Sequence, residues 1–319
     1  MSKTPLVTHI YTADPSAHVF GGRIYIYPSH DLDLEADEND LGDQYAMTDY
    51  HILSQDHPGA PVTDHGEALH LRDVPWASKQ MWAPDATYAN GRYYLYFPAR
   101  DRAGIFRIGV ATSPKPEGPF VPEKSPIEGS FSIDPCVFKD DDGAFYLYFG
   151  GLWGGQLQCW QTSAFDQNGA EPELESAALS PKVARLSADM LSFAERPKDV
   201  ALLDAQGAAL KSGDHDRRYF EGPWVHKHNG LYYFSYSTGN THQIVYATST
   251  SPEGPFTFRG QILSPAIGWT THHSIIEHGG RWWLYYHDSS LSGGISHKRC
   301  VKVQELRYNA DGTVQPLTP

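Results

Sequence analysis

The 319-residue chain is acidic, with a formal net charge of −13, and carries 19 Tyr, 14 Phe and 8 Trp beside 29 Gly and 23 Pro. That charge argues against nucleic acid or an anionic membrane surface as partner and is compatible with a neutral ligand such as a sugar. Aromatics favour strands while Gly and Pro punctuate turns, so the composition points to an all-β protein, and a chain of this length buries roughly three quarters of its unfolded surface.

Cys136, Cys159 and Cys300 are widely separated and odd in number, which suggests neither a disulfide framework nor a paired metal site. The first twenty residues, "MSKTPLVTHIYTADPSAHVF", hold no apolar run of signal-peptide length. The expectation is a soluble cytoplasmic protein.

Five hairpins then follow in chain order. The first is "DPSAHVFGGRIYIY" (14–27), in which an apolar run meets a polar turn ending in Gly22 and an aromatic strand begins at once. After it comes the polar segment "SHDLDLEADENDLGDQY". The second hairpin is "APDATYANGRYYLY" (83–96), turning at Gly91, and "ATSPKPEGPF" (111–120) follows it. The third, "DPCVFKDDDGAFYLY" (134–148), turns at Gly143. A long, less aromatic interval comes next, in which "KVARLS" and "DVALLDA" read as strands completing the third sheet. The fourth, "EGPWVHKHNGLYYFS" (221–235), turns at Gly230 and leads to "ATSTSPEGPF" (247–256). The fifth, "HHSIIEHGGRWWLYY" (272–286), turns at Gly280. Asn-Gly, Asp-Gly and Gly-Gly at these turns are strong hairpin signals, because Gly and Asn tolerate the left-handed backbone a tight turn needs.

The two ATS…GPF segments agree at eight of ten positions and mark the third strand and exit loop of a repeated unit. The turn glycines lie 69, 52, 87 and 50 residues apart, room for a four-stranded sheet each time. Sheets of four strands repeated radially make a β-propeller, here five-bladed, spanning residues 1–319 as one domain.

Three hairpins open on a carboxylate: Asp14 lies eight residues before its turn glycine, and Asp134 and Glu221 lie nine before theirs. The first strand of each blade lines the propeller axis, so the three carboxylates converge on one pocket. Crowded like charges raise at least one pKa, and a protonated acid beside an ionised base is what glycosidic cleavage requires. An Asp-Pro turn or a strand-end cap explains any one of them alone; three in register point to a site. Trp82 shares the register of Asp134 and Glu221. Its indole suits a sugar face, the alternative being a core tryptophan between blades.

The Ala-Asp-Pro at 13–15, Trp-Ala-Pro-Asp at 82–85, Ile-Asp-Pro at 133–135, Glu-Gly-Pro at 221–223 and His-His-Ser at 272–274, in this order and spacing, resemble glycoside hydrolase family 43. The resemblance runs from Asp14 to about Asn309 and implies a five-bladed propeller that inverts anomeric configuration. It implies Asp14 as general base, Glu221 as general acid and Asp134 as the carboxylate that holds the acid and keeps its pKa raised. Asp85 is a candidate for binding substrate hydroxyls, with strand-end capping the equal alternative. His272 is similar to a family histidine that ligates a cation, commonly calcium, at the channel centre. Arg299 resembles a last-blade arginine directed at sugar hydroxyls, although Lys298 and Lys302 beside it also fit a solvated basic strand. The substrate implied is a xylo-oligosaccharide or an arabinose-containing oligosaccharide, cut by an exo-acting β-xylosidase with α-L-arabinofuranosidase activity. An arabinan- or arabinoxylan-directed arabinofuranosidase and a non-catalytic sugar-binding propeller are the alternatives.

Overall fold

Strand residues alternate between two faces, and in this chain both faces are apolar along the inner strands. That pattern suits a sheet covered on both sides. In Arg92–Asp101, Leu95 and Phe97 join one buried cluster with Tyr50, Ile52 and Phe120, while Tyr94 and Tyr96 join another with Val137, Leu147 and Phe149. Each blade is thus a slab with a hydrophobic layer on either side. A buried Leu or Phe in such a layer contributes about 1.5–3 kcal/mol.

The computed structural model describes residues 3–319. It is a five-bladed β-propeller. Blade 1 holds β1 (Tyr11–Phe20), β2 (Arg23–Asp31), β3 (Asp49–Gln55) and β4 (Thr63–His70) in that order. In blade 2, β5 (Ala77–Lys79) and β6 (Asp85–Ala89) both pair with β7 (Arg92–Asp101), and β8 (Phe106–Ser113) and β9 (Val121–Pro122) follow. Blade 3 is β10 (Cys136–Lys139), β11 (Phe145–Phe149), β12 (Lys182–Arg185) and β13 (Lys198–Asp199). The chain then crosses to the outer edge of blade 4 as β14 (Leu202–Leu203) before laying down β15 (Glu221–His228), β16 (Leu231–Ser237), β17 (Ile244–Ser249) and β18 (Phe256–Leu263). Blade 5 is β19 (His273–His278), β20 (Arg281–Asp288) and β21 (Cys300–Leu306). Among the described residues no helix is long and apolar enough to cross a membrane.

The five expected hairpins are the inner two strands of the five blades, and the two ATS segments are the ends of the third strands β8 and β17 with their exit loops. One strand departs from the reading of the sequence. "KVARLS" supplies the third strand of blade 3, but "DVALLDA" divides: Asp199 stays in β13 whereas Leu202 and Leu203 pair in parallel with Phe256 and Thr257 of blade 4. Buried Val200 and Leu202 belong to the cluster that also holds Phe256, so the segment follows its apolar side chains across the interblade gap. The ring closes where Leu6 and Thr12 donate backbone N–H groups to Val301 and Arg299, laying the N-terminal segment along β21.

Candidate active site

Each of the three hairpin-opening carboxylates precedes a proline by one or two residues: Asp14-Pro15, Asp134-Pro135 and Glu221-Gly222-Pro223. Proline has no N–H for the ladder, so strand pairing must break there. In β1 the register shifts between Ala13 and Ser16, and in β15 between Glu221 and Trp224. Asp14 and Asp134 take left-handed backbone, with φ of 48° and 58°. Such conformations cost of order 1–3 kcal/mol in a non-glycine residue and persist where the surrounding structure fixes them. These breaks turn the acids towards a pocket of about 200 Å³ lined by Asp14, Trp82, Asp134, Glu221, His272 and Arg299. Six of the seven residues selected from the sequence therefore share one cavity.

The three acids are held differently. Asp14 is clamped: Ser29 donates to Oδ2 at 2.7 Å and Arg299 Nη1 to Oδ1 at 3.0 Å. Burial alone would raise its pKa, but the Arg299 guanidinium prevails and holds it well below the usual carboxylate range. Asp134 accepts the Gly222 N–H at 2.9 Å, so the third acid sits directly on the backbone carrying the second. Burial pushes Asp134 up to about 6, with His272 opposing and the Asp14 charge adding. The Glu221 carboxyl has no hydrogen-bond partner among the described residues. Burial first, and then the charges of Asp134 and Asp14, raise its pKa far above the ordinary value. The arrangement is a fixed carboxylate, Asp14, facing the same cavity as an unrestrained carboxyl, Glu221, whose surroundings favour the protonated form.

His287, invisible as a site residue in the sequence, completes the Asp14 clamp. Its Nδ1 accepts the Asp14 backbone N–H at 2.9 Å, which assigns the proton to Nε2, 3.0 Å from the Thr270 carbonyl. Burial and the nearby Arg299 lower its pKa to about 3, so this imidazole is neutral. The sequence offered only an unremarked His-Asp pair in an inner strand, and no local pattern ties residue 287 to residue 14.

Two assignments need correction. Asp85 does not line the cavity; it is 1% exposed and accepts hydrogen bonds from Ser16 Oγ, His18 Nε2 at 2.6 Å and the N–H groups of Ala86 and Val137. It fastens blades 1, 2 and 3 together at the hub, and the capping reading of this residue is the correct one. Arg299 lines the pocket, but its donors are already engaged. Nε and Nη2 form a fork on Asp31 at 2.8 and 2.7 Å, and Nη1 serves Asp14 and Thr270. The guanidinium positions the Asp14 carboxylate rather than offering free donors to a sugar.

Trp82 is a pocket wall and also a seat for the loop of residues 32–48. Its Nε1 donates to the Tyr45 carbonyl at 2.8 Å, and a Cβ on Gly42 would stand 2.6 Å from the indole, so only glycine fits above the ring. The loop is the acidic segment after the first hairpin, and its Glu38, Asp40 and Tyr45 close one side of the pocket. On the other side Trp153, Phe220 and Trp269 form an aromatic wall with ring centroids 5.2–5.5 Å apart. Trp153 and Trp269 went unnoticed in the sequence because they sit in loops outside the repeated hairpins.

His272 lies between Asp14 and Asp134, its Nδ1 3.5 Å from Asp14 Oδ1. Burial disfavours its charge, but the two carboxylates prevail and raise its pKa. As a cation ligand it would act almost alone: both neighbouring acids are engaged, and no other His, Cys, Asp or Glu among the described residues joins it in a three-ligand group. This donor set fits a hard cation only if the ion keeps most of its water.

Comparison with known proteins places the whole chain among glycoside hydrolases. The family described as Glycosyl hydrolases family 43 matches residues 7–314. The chain is 59% identical to a xylosidase/arabinosidase of Humicola insolens over 99% of both chains. It superposes with a TM-score of 0.98 on a β-xylosidase/α-arabinofuranosidase from a compost microbial metagenome, solved with xylotriose in a calcium-free form, at 59% identity over 100% of this chain and 98% of the other. A Xanthomonas citri enzyme complexed with xylose gives a TM-score of 0.95 at 57% identity, covering 99% and 93% of the two chains.

Proposed function

The chain belongs to glycosyl hydrolase family 43, and on that premise we propose that it is a β-xylosidase with α-L-arabinofuranosidase activity that removes single pentoses from the non-reducing ends of xylo-oligosaccharides. The observation that carries this reading is a pair of unlike carboxyls in one small cavity: Asp14 clamped by Arg299 and Ser29, and Glu221 half-buried with no hydrogen-bond partner among the described residues. A pocket of about 200 Å³ closed by a loop and an aromatic wall accepts a terminal sugar better than the middle of a polymer, since general ligand sites span roughly 300–1,000 Å³. The relatives named xylosidase and arabinosidase support the choice of pentose.

In the inverting reaction one carboxylate takes a proton from water on one face of the sugar while an acid protonates the departing oxygen on the other. We assign the first task to Asp14, which Arg299 and Ser29 keep ionised and oriented. Glu221 takes the second, because burial and the neighbouring carboxylates favour its protonated form and its carboxyl is free to follow the leaving oxygen. Asp134 touches neither task directly; it holds the Gly222 backbone and, by its charge, the Glu221 proton. Trp82, Trp153 and Trp269 present aromatic surface to the sugar. Where a cation is bound, we place a largely hydrated Ca²⁺ at His272, whose charge would steady the central carboxylates.

Hydrolysis of xylobiose, aryl β-D-xylopyranoside, aryl α-L-arabinofuranoside and aryl β-D-glucopyranoside, each with Ca²⁺ or chelator, tests the assignment. Turnover of the pentosides with little turnover of the glucoside is expected, and Ca²⁺ should raise the melting temperature of wild type but not of His272→Ala. Preference for the hexoside would refute the pentose assignment, and an equal Ca²⁺ response in both proteins would refute the ion's position.

Replacement of Asp134 by Asn should move the alkaline limb of the kcat/KM profile to lower pH. The Asp134 charge helps keep the proton on Glu221, so its removal lets that proton leave at a lower pH. The profile of the variant decides the point: an unmoved limb would mean that Asp134 does not tune Glu221.

A further inference from the structure

A second cluster of ligating side chains lies on blade 1, away from the pocket. The end of β2 reads Ser29-His30-Asp31 and the start of β3 reads Asp49-Tyr50-His51. Strand alternation divides these residues. Ser29 and Asp31 grip Asp14 and Arg299, and Tyr50 donates to the Trp82 carbonyl. His30, Asp49 and His51 gather on their own: one ligand atom from each, all within 4.8 Å of one another.

The spacing suits three ligands of one ion. His30 Nδ1 is 3.0 and 3.1 Å from the two Asp49 oxygens, and His51 Nε2 is 3.5 Å from Asp49 Oδ2. The His30 and His51 rings are 4.6 Å apart. Behind His51, its Nδ1 lies 3.1 Å from Asp64, which also accepts the Gly66 N–H at 2.8 Å. A carboxylate on the far nitrogen of a ligating histidine is the usual outer partner that fixes its tautomer and raises its basicity. A neutral His51 has one proton for two carboxylates. With that proton on Nδ1 facing Asp64, the Nε2 lone pair points at Asp49, and a cation between them turns this repulsion into two bonds. The His30 and His51 side chains are 17% and 18% exposed, so water and ions can reach the cluster.

We propose that His30 Nδ1, the Asp49 carboxylate and His51 Nε2 bind a divalent metal ion of the zinc class, with water as fourth ligand, at the stem of the pocket-lining loop. Two imidazoles and one carboxylate suit zinc and its neighbours rather than calcium, which takes six to eight oxygens. The position gives the ion a function. His30 and Asp49 bracket the loop of residues 32–48, which carries Glu38, Tyr45 and Met47 of the active-site pocket. A metal joining the two stems closes that loop at its base and stiffens β2 next to Ser29 and Asp31. It is independent of any ion at His272, and independent of the assignment of substrate.

The test is direct metal binding to tag-free, chelator-treated protein, with Co²⁺ read by its visible d–d absorption and Zn²⁺ by competition with a chromophoric chelator. One equivalent per chain is expected in wild type and in His272→Ala alike, with the visible band of a four-coordinate site. His51→Gln should lose the band, and Asp64→Asn, which leaves all three ligands in place, should weaken Zn²⁺ binding by about 10- to 100-fold. Folding of each metal-free variant is checked by its melting curve, and Asp64→Asn carries the test if His51→Gln does not fold. The proposal is overturned if wild type takes up no stoichiometric metal, if uptake is unchanged in folded His51→Gln or Asp64→Asn, or if it disappears in His272→Ala.

Discussion

Replacing Glu221 by Gln is expected to lower kcat on xylobiose by about 10³-fold, within the range that one general acid contributes. On an aryl xyloside whose phenol leaves readily, the loss should be about tenfold, since such a leaving group needs little proton assistance. Glutamine keeps the shape and the partial polarity of the side chain but has no acidic proton. Because the Glu221 carboxyl bonds no protein group, the substitution breaks no hydrogen bond and the fold should be retained. Stability gives a second readout with a definite sign. The folded-state pKa of Glu221 is raised by burial and by Asp134, so its ionisation opposes folding progressively as pH climbs above the unfolded value. The glutamine variant avoids that cost and should melt higher than wild type at pH 8, while the two converge at acid pH. Comparable losses on both substrates would remove Glu221 from the proton-donor role.

Asp14→Asn has the other large effect, about 10⁴-fold in kcat/KM, and unlike the first it should be independent of the leaving group. The base acts on water, so xylobiose and the aryl xyloside should suffer alike. The substitution should also destabilise the protein, for reasons visible in the clamp. Arg299 is buried at 3% exposure and is balanced by Asp14 and Asp31; removing one carboxylate leaves part of its charge unpaired. The folded pKa of Asp14 is depressed, so its contribution to stability is complete above the unfolded carboxylate pKa and fades as pH falls towards the folded value. The melting-temperature gap between wild type and Asp14→Asn should therefore be full at pH 7 and narrow on acidification. A leaving-group-dependent loss would place Asp14 on the acid side of the reaction instead.

What the sequence disclosed and what it withheld separate along a physical line. Hairpins are local: each turn glycine and the aromatic strand after it lie within a few residues, so the five blades were legible. The acids were legible because each opens its hairpin eight or nine residues before the turn glycine, and repeated blades carry equivalent positions to one pocket. Asp85 shows the limit of that signal. It stands in the segment that Trp82 opens, but Ser16, His18 and Val137, from two other blades, claim its oxygens. Arg299 was found as a residue but misread as a role, because Asp31 and Asp14 lie more than 260 positions away in sequence. The outer strand of blade 4 was misplaced for the same reason: two leucines within a short apolar run do not announce which neighbouring sheet they will cover. Residues that act through distant partners, His287 and Thr270 among them, were legible only in three dimensions.

Asp14 and Glu221 are assigned to opposite faces of one sugar, as a water-activating base and a proton-donating acid. Proton NMR of the first turnovers of an aryl β-D-xylopyranoside tests this most directly, provided the spectra are taken before the product mutarotates. With inversion, α-xylose is released first and the β-anomer grows in only at the rate of mutarotation. Initial release of β-xylose would contradict it, since retention requires a carboxylate to attack the sugar rather than to activate water.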